Sequence, residues 1–67
     1  MTTEIDVYRS AHALIQQHGE WAAIEAAMKA DAMLDKGDLD GAAVWRRIVA
    51  AVNDIQREEP AVGERRH

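Results

Sequence analysis

The stretch Leu34-Asp35-Lys36-Gly37-Asp38-Leu39-Asp40-Gly41, closed by Trp45, constrains this chain more than any other. It reads as a helix stop fused to a helix start. Glycine can enter the left-handed conformation that ends a helix without the steric penalty a Cβ brings, and Gly37 sits where that is needed. Asp38 follows at once, and its carboxylate can accept a bond from the free N–H groups of the next helix. A chain with such a corner between two helical patterns must fold back on itself within a few residues.

The patterns on either side are helical in period. Val7, Tyr8, Ala11, Leu14 and Ile15 recur at helix spacing, with Arg9, Ser10, Gln16 and Gln17 turned toward solvent. Thr3 and Asp6 resemble a weak capping box at the start, and Gly19 offers a stop after His18. The second segment carries Ala22, Ala23, Ala26, Ala27, Ala30, Met33 and Leu34 as one broad apolar flank. Trp21, Ile24 and Met28 form a second apolar group on another side. Only two narrow polar wedges remain: Glu25, Lys29 and Lys36 in one, Asp31 and Asp35 in the other. A helix apolar around most of its circumference expects neighbours on several sides. In the third segment Val44, Trp45, Ile48, Ala51, Val52 and Ile55 make the inward stripe, while Arg46, Arg47, Asn53, Asp54 and Arg57 face out. Gly41, in its first turn, costs helix propensity but permits close approach to the second helix.

These patterns predict an all-α fold, a small antiparallel three-helix bundle whose hairpins are joined by glycine corners. The helices fall at about 4–18, 20–36 and 39–58, in one domain over 1–58. Pro60 restrains the residue before it, and a flexible tail is expected over 59–67. No strand period is present.

At 67 residues the chain is marginal, because a domain of this size buries only about 60% of its unfolded surface. Without cysteine there is no disulfide, thiol chemistry or cysteine-ligated metal. Tight packing or association must then make up the difference. The 48% hydrophobic content is enough to drive folding. A formal charge of −4 disfavours nucleic-acid phosphate unless the basic residues gather on one face. The first residues lack the features of a signal peptide, and no run is long enough to span a bilayer, so a cytoplasmic protein without membrane association is expected.

The helix–glycine–helix rhythm has a flavour of tetratricopeptide repeats, but Gly19 and Gly37 are separated by about half that period. A closer likeness lies in Ala11, Leu14-Ile15, His18-Gly19, Ala23, Ala27, Ala30-Asp31, Leu34, Gly37-Asp38, Asp40-Gly41, Trp45, Ile48 and Ala51-Val52. On these residues the chain resembles an uncharacterised family, a domain of unknown function, of short all-helical proteins from alphaproteobacteria. The resemblance spans roughly residues 11 to 56. It implies a bacterial source and a compact helical fold, and it brings no activity, cofactor or catalytic residue with it.

Candidates for chemistry are few. His12 and His18 are six residues apart and point to different sides of one helix, so they cannot chelate a metal together. His18 suits the C-terminal helix dipole, His12 the edge of the apolar face, and His67 falls in the tail. Asp31 and Asp35 are one turn apart and could bind a cation, but no further ligand accompanies them. A DNA reader would need basic residues where the third helix instead opens Leu39-Asp40-Gly41. Trp21 and Trp45 read most simply as core anchors, each with an indole N–H that wants a partner. If Trp21, Ile24 and Met28 stay uncovered they mark an association surface. The function expected is a non-enzymatic protein-interaction module, a homo-oligomer or an accessory subunit of a larger assembly. Trp21, Ile24 and Met28 would be its anchor, and Asp31 and Asp35 its acidic rim. It would have no catalytic, cofactor or metal site. The alternative is an acidic, antitoxin-like regulator or inhibitor of nucleic-acid machinery.

Overall fold

The computed structural model describes residues 4–58, all but a few of them helical. Helix α1 spans Glu4–His18, a one-turn 3₁₀ helix spans Gly19–Trp21, α2 spans Ala22–Asp35 and α3 spans Leu39–Glu58. No strand occurs among the described residues. The expected Thr3 cap, Pro60, His67 and the tail over 59–67 lie outside them.

The Gly37 corner forms as its residues dictate. Gly37 adopts φ +78°. Its N–H donates to the Leu34 carbonyl at 2.9 Å, and the Asp38 N–H donates to the Met33 carbonyl at 2.8 Å. These two bonds are the Schellman pattern, which satisfies carbonyls left over at a helix end. Asp38 then caps α3: its Oδ1 accepts from the Gly41 N–H at 2.8 Å and its carbonyl accepts from the Ala42 N–H at 3.0 Å. One residue thus closes α2 and opens α3. Gly41 stands where a Cβ would come within 2.7 Å of Asp38 Oδ2 and 3.0 Å of Met33 Sδ, so the missing side chain makes room for both the cap and α2.

The first corner differs slightly from expectation. Gly19 has φ +59°, but α2 does not start at Glu20. The chain first tightens into the 3₁₀ turn, in which the Ala22 N–H bonds the Gly19 carbonyl. Such turns are common at helix ends because an i→i+3 bond occupies groups the longer helix leaves free. The same carbonyl accepts Gln56 Nε2 at 2.9 Å, tying the last turns of α3 to this corner.

The core joins Val7 and Ala11 of α1, Ala22 and Ala26 of α2, and Ile48, Ala51 and Val52 of α3. Leu14, Ile15, Ala23, Val44, Trp45, Val49 and Ile55 pack against it half-buried. Ala30 and Ala42 are buried as well. Val52 is the largest side chain enclosed completely, and no polar or charged side chain is buried among the described residues. Burying a valine or isoleucine contributes about 1.5–3 kcal/mol, so Val7, Ile48 and Val52 are the largest contributors among the fully buried side chains. The alanines contribute closeness of approach.

Two sequence expectations need correction. Ala27 and Leu34 are exposed, so the broad flank of α2 narrows to a buried line of Ala22, Ala26 and Ala30, one turn apart each, with Ala23 and Met33 half-buried at its edges. Tyr8 lies at the exposed rim of α1 and Ser10 is half-buried, because α1 leans on its neighbours through the Val7–Ala11–Leu14 side.

Candidate functional site

The outer side of α2 carries the candidate site. Trp21 is 59% exposed, Ile24 50% and Met28 57%. Large apolar side chains held this far in water at i, i+3 and i+7 are unusual in a small protein that has few such residues to spare. The reading of Trp21 as a core anchor is therefore corrected. Trp45 packs against the core from α3, whereas Trp21 sits in the 3₁₀ turn and is mostly exposed.

Helix geometry places the acidic residues on the same line. At roughly 100° per residue, Ile24, Met28, Asp31 and Asp35 fall within about 60° of arc, with Trp21 at the foot of the stripe. Ala22, Ala26 and Ala30 lie on the opposite side and are buried, the first two in the core shared with α1 and α3. The stripe runs about 17 Å from Ile24 to Asp35 at 1.5 Å per residue. Its first half is apolar and its second half acidic. Asp31, Asp35, Asp38 and Asp40 are all exposed. The apolar group Trp21, Ile24 and Met28 and the Asp31–Asp35 wedge thus form one continuous stripe.

A second apolar stripe, not singled out in the sequence, lies on α1. Ile5, 66% exposed, Tyr8, 37% exposed, and His12 repeat the spacing i, i+3, i+7, with Glu4 and Arg9 beside them. That spacing was a legible signal, but Tyr8 was grouped with the inner face. Tyr8 also borders a shallow cleft between α1 and α3, lined by Glu4, Val7, Arg47, Ala50, Ala51 and Asp54. Asp54 is ion-paired with Arg57 one turn on.

The histidines do not converge. His12 is exposed on the α1 stripe and His18 is half-buried in the last turn of α1. Among the described residues no group of three or more His, Cys, Asp or Glu side chains is placed to hold a metal ion. No described helix is long and apolar enough to cross a membrane. The Gln56–Gly19 bond had no sequence signal, because it joins positions 37 residues apart. No protein-family model matches the chain, nor does any curated protein or solved structure.

Proposed function

We propose that this protein is a small non-enzymatic interaction module that docks a protein partner, or further copies of itself, through the outer stripe of α2. Trp21, Ile24 and Met28 enter the partner's apolar surface, and Asp31 and Asp35 meet its basic groups. The carrying observation is that three of the chain's largest apolar side chains stand at least half exposed in one line, opposite a buried edge made of alanine. Association would cover that area, and apolar surface removed from water contributes about 25 cal/mol per Å² before the costs of association.

The scaffold in this reading is an antiparallel three-helix bundle. Its support is that the Gly37 corner joins the end of α2 to the start of α3, while Gln56 near the end of α3 reaches Gly19 at the start of the α2 segment. Helix α1 contributes Val7 and Ala11 to the shared core.

The test is a paired substitution, Ile24→Ser with Met28→Ser. Circular dichroism should show full helix content, and native mass spectrometry of protein recovered from its host should show the stoichiometric complex gone. A collapse of helix content would place both residues in the core and sink the reading.

A further inference from the structure

The docking surface just described has a counterpart on the same molecule. The α1 stripe of Ile5, Tyr8 and His12 has the spacing of Trp21, Ile24 and Met28, and both rise about 10 Å from first residue to last. Their flanking charges differ: the α2 stripe is acidic, whereas the α1 side mixes both signs with two arginines. The α2 stripe continues into Asp31 and Asp35, whereas the α1 stripe carries Arg9 alongside and Arg47 across the cleft that Tyr8 borders. Glu4 and Asp6 are the acids in the first turn of α1, and Asp54 is engaged by Arg57. The two stripes lie on different sides of the molecule. One points away from the alanine edge that packs on α3, and the other runs beside the seam between α1 and α3.

We infer that the partner of the α2 stripe is a second copy of this chain, which presents its α1 stripe: Trp21, Ile24 and Met28 of one copy pack on Ile5, Tyr8 and His12 of the next, with Asp31 and Asp35 facing Arg9 and Arg47. This rests on the α2 docking reading and names its occupant. A contact between two different surfaces is heterologous, so it propagates from copy to copy or closes a ring instead of stopping at a two-fold dimer. The charges set which face meets which, since matching acidic stripes would repel. Each contact is small, so association belongs to the weak end of protein interfaces and grows with concentration.

Two blocked variants test this. Ile24→Ser with Met28→Ser disables the α2 face, and Tyr8→Ser with Arg9→Glu disables the α1 face. Circular dichroism first verifies that each keeps its helix content. Sedimentation velocity of the full chain, from micromolar to millimolar, should show a series of species for the unmodified protein. Each variant alone should be monomeric, and a mixture of the two should give a 1:1 complex and nothing larger. A charge pair serves as a second probe on exposed residues: Asp31→Arg with Asp35→Arg should weaken association at least tenfold, and adding Arg9→Glu with Arg47→Glu should recover it. A monomer at every concentration overturns the inference, as does a mixture that stays monomeric. If the α1 variant associates like the unmodified protein while the α2 variant does not, the α2 stripe still docks but α1 is not what it docks on.

Discussion

The two sides of α2 invert the usual relation between side-chain size and burial. Inside are Ala22, Ala26 and Ala30; outside are Trp21, Ile24 and Met28. Small residues inside let the backbone of α2 approach α3 closely, which keeps packing dense without large side chains. The large residues outside keep half or more of their surface in water, so they add less to the isolated fold, and in the reading proposed above they are the surface that grips a partner. The comparison separates the residues that hold this protein together from those it leaves exposed. It also explains why hydrophobicity alone does not identify the core here.

The inner side should be the less tolerant. Ala26 is completely enclosed, so Ala26→Leu forces overpacking and should cost about 1–3 kcal/mol or more by chemical denaturation. A neutral outcome would mean the alanine edge is loosely packed, and the contrast would fail. The corner that sets α2 against α3 comes next. Gly37→Ala has open space around it but must hold φ +78°, which should lower stability by roughly 1–2 kcal/mol. Asp38→Ala removes the α3 cap and should cost about 1 kcal/mol.

Gly41→Ala sharpens the picture of that corner. A Cβ there favours helix by roughly 1 kcal/mol but crowds the Asp38 carboxylate, so the two effects should nearly cancel. On an Asp38→Ala background the closest crowding is gone and only Met33 Sδ, at the flexible end of its side chain, has to give a few tenths of an ångström, so Gly41→Ala should then stabilise. A double-mutant cycle reads this coupling directly, and strict additivity would show that the cap tolerates the methyl group.

The outer side should respond least. Met28→Ala should change the stability of the monomer by no more than about 0.5 kcal/mol, as exposed substitutions do. A loss comparable to that of Ala26→Leu would erase the distinction between the two sides.

Much of this was legible in the residues. Gly37 and Asp38 announce a stop and a start by local chemistry alone, and the Ile48–Ala51–Val52–Ile55 stripe follows from helical period. Which side of α2 faces inward was not legible, since both sides are apolar and periodicity ranks them equally. Only packing decides, and it chose the side that permits the shorter distance between helices. Ala27 and Leu34 were misplaced for the same reason. The association of Ile24 and Met28 with an Asp31–Asp35 rim was legible from spacing, and helix geometry sharpens it by placing all four on one line. The Gln56–Gly19 bond belongs to tertiary structure and leaves no local mark.

Asp38 serves two helices at once, its N–H closing α2 and its carboxylate and carbonyl opening α3. The chain has no slack at this point. A single residue inserted after Gly37 would split the two roles, its own N–H taking the bond to Met33 while Asp38 kept the cap, and would turn α3 by about a quarter of its circumference relative to α2. The loop length is therefore part of the specification of the fold, and lengthening the corner would change which residues of α3 meet the alanine edge.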